Sequence, residues 1–140
     1  MVVGADGSEQ AETALRFAAE EAALRKARLR LVCAWDVPMD TTMSVGLTTG
    51  LVEGLSAEAE EIVKAAIGRV QELQPSVVCE ARVVEGRADT VLLEEAQGAV
   101  LLVVGSRGRG GLAGMFLGSV SSHLVHHPPC PVTVVPRTSI

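Results

Sequence analysis

At 140 residues the chain has the length of one compact α/β domain, and 48% hydrophobic residues are enough for a real core. Aromatics make up only 2% (Phe17, Trp35 and Phe116) and the net charge is −5, from 12 basic and 17 acidic residues, so both the stacking side chains and the basic footprint of a nucleic-acid binder are missing. Three widely spaced cysteines, Cys33, Cys79 and Cys130, without a C-x-x-C pair fit a reducing, cytoplasmic setting; nothing resembles a signal peptide, and no apolar run approaches the ~20 residues of a membrane span.

Met1 to Val3 reads as a strand, short beside the ~5 residues of a usual central strand, which suggests a chain trimmed at its start. Gly4 to Ser8 is a turn with Ser8 as N-cap. A helix follows from Glu9 to Lys26, its apolar face Ala11, Ala14, Leu15, Ala18 and Ala22, small enough to pack closely on a sheet. Leu29 to Trp35 is the second strand. Asp36 to Leu55, with Pro38, Gly46, Gly50 and Gly54 and little periodicity, is expected to be a long mobile loop. Ser56 then caps an amphipathic helix in which Ala59, Ile62, Val63, Ala66, Ile67, Val70 and Leu73 recur at three and four, and Pro75 ends it. Val77 to Val84 is the third strand, Gly86 its turn, and Asp89 to Gln97 a short helix. Ala99 to Val104 is apolar throughout, as a parallel strand covered on both faces should be. A short helix, Val120 to Val125, and a last strand, Pro131 to Val135, complete the chain. Strands alternating with helices imply a doubly wound α/β fold, a parallel sheet with helices on both faces, and residues 1–140 read as a single domain with no repeat or linker.

The stretch that carries chemistry is Gly105-Ser106-Arg107-Gly108, nine residues, then Gly118-Ser119. It leaves a buried strand and feeds a helix. Glycines let backbone N–H groups come close to a phosphate, and the helix N-terminus adds partial positive charge. Arg107 and Arg109 add full charges. The G-x-G-x-x-A match at Gly108 to Ala113 is not a dinucleotide fingerprint: it follows the fourth strand instead of the first, and no Asp or Glu comes after it. A Walker A loop is excluded because no Gly-Lys-Ser/Thr occurs.

Four pieces in order resemble the universal stress protein family: the opening Val2-Val3-Gly4-Ala5-Asp6-Gly7-Ser8, the turn glycine Gly86, the G-x-x-G, nine residues, G-S pattern of the ATP-binding branch, and the closing Cys130-Pro131-Val132-Thr133-Val134-Val135. The resemblance implies a five-stranded parallel sheet of order 3-2-1-4-5, an adenine nucleotide alpha hydrolase-like fold, with the ligand outside the carboxyl ends of strands 1 and 4. It implies that Ala5 and Asp6 face the adenosine, with Gly4 before them among the binding residues, and that Ala34 lines the adenine pocket through its backbone. Val104, Gly105, Arg107 and Gly108 would wrap ribose and phosphates, and Gly118, Ser119, Val120 and Ser121 would hold phosphates at the helix start. The implied cofactor is ATP with Mg2+ carried on its phosphates; the implied partner is a second copy, docked through Val132 to Val135. Ala34 stands where a bulkier aliphatic residue is common, which predicts a looser pocket.

Other meanings of these residues are open at this stage. Asp6 is a ligand contact, a turn residue bonding its own backbone or, less in keeping with magnesium's preference for phosphates and water, a direct magnesium ligand. Arg107 reads as a phosphate partner, Arg109 as a solvated arginine, and Ser119 as phosphate donor or plain N-cap. His123, His126 and His127 with Cys130 read as helix-end residues and strand packing, not as a metal site. Ser121, Ser122 and His123 make no triad, because adjacent helix residues point apart and no acid is near. Trp35 alternates with Ala34, so it should point away from the ligand. The favoured reading is a nucleotide-dependent switch in which ATP orders Arg107 to Leu117. Beside it stand a slow Mg-dependent ATPase or phosphotransfer protein working through Asp6, a binder of AMP or cyclic AMP, and a nucleotide-free dimeric interaction module.

Overall fold

A computed structural model gives the architecture and describes residues 1–37, 49–108 and 117–137. Among these the order is β1 (Val2–Gly4), α1 (Glu9–Arg25), β2 (Leu29–Trp35), α2 (Thr49–Leu73), β3 (Cys79–Glu85), α3 (Ala88–Glu95), β4 (Leu102–Gly105), α4 (Ser119–His126) and β5 (Val132–Val135). The strands form one sheet, β3-β2-β1-β4-β5, with every neighbouring pair parallel. This is the expected doubly wound sheet in the expected order.

Alternation along the strands builds a core on each face. Val3, Leu31 and Val103 turn to one side, against Ala14, Leu15 and Ala18 of α1 and Ala66 and Val70 of α2. Val2, Val32, Leu102 and Val104 turn to the other, against Val91 and Leu92 of α3 and Leu124 of α4. Each such side chain withdrawn from water is worth roughly 1.5–3 kcal/mol for Val or Leu. Trp35 joins Cys33, Ala59 and Val63 on the α2 side, facing away from Ala34 as the alternation required.

α1 begins where the sequence says it should. Ser8 is extended (φ −79°, ψ 161°) and its Oγ accepts from the Ala11 N–H at 3.1 Å. Glu9 and Glu12 sit in the first turn, where carboxylates suit the helix dipole. The helix stops at Lys26, in the left-handed region at φ 53°.

One boundary is corrected by a wide margin: α2 starts at Thr49, so Ser56 lies inside a helix instead of capping it. Gly50 and Gly54 disguised the extension. A Cβ on either would meet nothing within 4 Å, so both lie on an open face. Their cost of about 1 kcal/mol each is tolerable because adding turns to an existing helix is cheap, and half-buried Leu51 and Leu55 continue the stripe to buried Ala59. The rest of the expected loop, residues 38–48, lies outside the described residues, as do 109–116 with Arg109. Smaller shifts have local causes. The Ala99 N–H bonds Ala96 O at 3.0 Å, closing the turn after α3, so β4 begins later, at Leu102.

Candidate functional site

The sheet order reverses between β1 and β4, and a crevice opens at their carboxyl ends, the usual ligand position in such folds. Two turns wall it. In the first, the Ala5 N–H still bonds Val32 O at 2.9 Å, the Asp6 Oδ1 accepts from the Ser8 N–H at 2.9 Å, and Gly7 turns the chain at φ 80°. The Asp6 carboxylate is thereby held across the mouth of the turn.

In the second, the Ser106 N–H bonds Val135 O at 2.9 Å, and the Ser106 carbonyl accepts from both the Gly118 N–H (2.6 Å) and the Ser121 Oγ (2.9 Å). One carbonyl thus closes the base of the long excursion between them. The Ser106 side chain reaches Gln10 Oε1 at 3.3 Å, tying the same point to α1.

The glycines are needed for closeness. A Cβ on Gly108 would stand 2.5 Å from Asp6 Oδ2, one on Gly105 2.9 Å from Gln10 O, and one on Gly118 3.3 Å from the Arg107 Cα. Gly118 precedes α4 with no side-chain cap. The first-turn N–H groups, which a helix leaves without internal partners, therefore border the crevice at Ser119, Val120 and Ser121.

The crevice encloses about 490 Å³, within the usual range for small-molecule sites. All twelve residues expected from sequence line it: Gly4, Ala5 and Asp6 from the first turn, Ala34 from β2, Val104 through Gly108 (Ser106 excepted) from β4 and its loop, and Gly118 to Ser121. Val32, Leu92, Ala11 and Ala88 line it too, and sequence reading missed them. Val32 was findable, since it lies two residues before Ala34 on the same strand face. Leu92 was not, because only the packing of α3 on the sheet brings it there.

One end of the crevice is apolar (Val32, Ala34, Leu92, Val104); the other carries backbone N–H groups, Asp6 and Arg107, the charged residues among the described lining. Such a shape suits a flat apolar group joined to an anionic one. Ser121 is buried, and its hydroxyl proton goes to Ser106 O, with Gly118 O at 3.2 Å. Its hydroxyl proton is thus committed within the loop and is not offered to the crevice. The groups with shifted ionisation lie elsewhere: burial pushes the Cys79 thiol up to about 11 and raises Cys130, whose Sγ is 3.3 Å from Pro131 O.

A doubly wound parallel sheet with a glycine-walled crevice at its switch point defines an α/β domain of the ligand-binding kind. The Universal stress protein family model matches residues 1–136, and the chain belongs to that family. It is 35% identical to the universal stress protein Rv2623 of Mycobacterium tuberculosis, a match covering 96% of this chain and 46% of the relative; the chain spans about half the length of the curated relatives it matches. A universal stress protein family structure from Burkholderia pseudomallei is 29% identical at a TM-score of 0.75, covering 97% of this chain and 94% of that one. A universal stress protein solved in complex with cAMP is 29% identical at a TM-score of 0.61, covering 96% and 94%.

Proposed function

We propose that the crevice binds an adenine nucleotide, ATP with Mg2+ on its phosphates, and that occupancy is a switch read by a partner in the stress response of a cytoplasm. The observation that carries this is the meeting of Gly105, Gly108, Gly118 and the α4 N-terminus around a cavity with an apolar far end. Adenine would lie against Val32, Ala34 and Leu92. The phosphates would lie against the N–H groups of Ser119 to Ser121, with Arg107 adding full charge. Magnesium prefers phosphate oxygens and water, and neutralises charge on the phosphates when bound. Asp6, the carboxylate of the described lining, is a suitable donor for one edge of its hydration shell.

A second reading, AMP or cyclic AMP, is favoured by the relative crystallised with cAMP. The test for both is the melting temperature with saturating Mg-ATP, ADP, AMP and cAMP. Ligand at ~100 times Kd adds roughly 2.7 kcal/mol, a shift of several degrees for 140 residues. A shift with ATP above AMP supports the triphosphate, the reverse order supports the monophosphate, and no shift with any removes the reading. Protection of the Ser106 to Gly108 amides from hydrogen exchange by ATP tests the switch.

Dimerisation through β5 belongs to the same proposal. The two sheet edges differ in chemistry. On β3, Glu80 pairs with Arg30 at 2.8 Å and Arg82 with Glu95 at 3.0 Å, charges that guard an edge. β5 presents Val132, Thr133 and Val134, half-buried and uncharged, as an edge that invites a second copy.

A further inference from the structure

The outer face of α4 carries three histidines that the nucleotide cavity does not use. Ser119, Ser122, His123 and His126 stand at i, i+3, i+4 and i+7 along that face, and His127 ends it. With Leu117 and Gly118 they line a hollow of about 370 Å³. Gly118 and Ser119 line both this hollow and the nucleotide cavity, so the two meet at the α4 N-terminus. We infer that the histidine-lined hollow is a polyphosphate subsite, which takes the phosphates of a nucleotide that extend past Ser119. The inference rests on the nucleotide reading above.

The distances suit an extended anion. His123 stands one turn beyond Ser119, ~6 Å of axial rise, and His126 nearly another turn on. The His123 and His127 rings lie 5.0 Å apart, so an anion against the edge of the pair can meet two imidazoles. His126 Nδ1 is 2.7 Å from Ser122 O, and a carbonyl only accepts, so Nδ1 carries the proton. Its Nε2 then becomes a donor only when the ring is cationic. No acidic residue is among the described lining.

The charged group of a neighbouring element that acts on His123 is Asp89 of α3; Arg107 approaches Gly118 through its backbone, its Cα 3.3 Å from the Cβ position there. Asp89 of α3 opposes an anion, but its carboxylate is tied to the Arg87 guanidinium at 3.0 Å and the Thr90 N–H at 2.8 Å. Burial pushes the Asp89 carboxyl up; the Thr90 amide and the Arg87 guanidinium, with a smaller share from His123, outweigh that and hold it below its usual value. Asp89 therefore stays ionised and paired across the neutral range, and the titratable side chains that line the hollow are the three histidines.

The experiment is calorimetric titration with AMP, ADP, ATP and inorganic tripolyphosphate at pH 6 and pH 8. It compares the wild type with the triple variant His123→Gln, His126→Gln, His127→Gln. Equal melting of the unliganded proteins establishes that the variant folds. The subsite predicts that ATP gains about tenfold over AMP at pH 6 in the wild type, from one or two charge-assisted contacts. That gain shrinks to about threefold or less at pH 8, and in the variant at both pH values. An ATP-over-AMP gain identical in both proteins overturns the subsite while leaving the nucleotide cavity in place. If neither protein binds any nucleotide, the cavity reading fails, and tripolyphosphate decides the subsite: histidine-dependent binding keeps it, and no binding removes it.

Discussion

Between β1 and α1 the chain turns within residues 5–8; between β4 and α4 it takes residues 106–118. Both turns end at a helix N-terminus facing the same crevice, yet they are stabilised by opposite means. The short turn is held by side chains: the Ser8 hydroxyl caps α1, and the Asp6 carboxylate caps the turn itself. The long one is held by a backbone carbonyl, that of Ser106, and its helix begins at a glycine that offers no side chain to the first turn. A capped helix has spent part of its N–H capacity internally, whereas an uncapped one leaves it for a ligand. The two starts thus differ in what they leave open, and under the proposed function α1 serves stability and α4 serves recognition.

The strongest way to break this division is Gly118→Val. A branched side chain there would press on the Arg107 Cα, 3.3 Å from the position of its Cβ, and on Ser106 O at 3.6 Å. Both lie at the closed base of the loop. Overpacking of this kind costs about 1–3 kcal/mol. The expected outcome is a folded protein whose affinity for nucleotide falls roughly ten- to a hundredfold, measured by calorimetry beside a circular dichroism spectrum. Normal binding by this variant would mean that the ligand lies elsewhere.

Gly108→Ala probes the point where the two turns touch. Its Cβ would sit 2.5 Å from Asp6 Oδ2, so the carboxylate must swing away from its bond to the Ser8 N–H. A loss of about 1–2 kcal/mol of stability is expected, because both turns are disturbed at once. If contact with Asp6 is the cause, Asp6→Ala together with Gly108→Ala costs less than the sum of the two single changes in denaturant unfolding. Strict additivity would show that the turns are independent.

Much of this was legible in sequence, and the reason is local. The β1 turn announces itself through Asp-Gly-Ser before an alanine-rich stripe, and the loop after β4 through glycine spacing; both signals depend on residues close together in the chain. The family resemblance placed Ala34 in the crevice, and strand alternation then placed Trp35 behind the sheet. Legibility failed where the cause is tertiary or a propensity is overridden. Leu92 reaches the crevice only because α3 packs on the sheet over β2, which brings its side chain within 3.2 Å of the Cβ position of Gly4 on β1. The first turns of α2 were hidden because Gly50 and Gly54 look like loop residues, although their apolar neighbours Leu51, Leu55 and Ala59 repeat every four. Ser121 reads as a ligand residue by its place in the motif, while its hydroxyl serves the loop by bonding Ser106 O.

The smallest expected effect is also the sharpest on the division of labour. Ser8→Ala removes the hydroxyl that accepts from the Ala11 N–H at 3.1 Å. The Ser8 N–H to Asp6 Oδ1 bond uses the backbone and survives, so the carboxylate keeps its place across the crevice. Loss of a serine N-cap costs typically ~1 kcal/mol. The melting temperature should therefore fall by a few degrees, while nucleotide affinity at 25 °C, well below the transition, stays within about twofold. If affinity instead falls in step with stability, the α1 cap belongs to the ligand site as much as the α4 N-terminus does, and the two helix starts are one device.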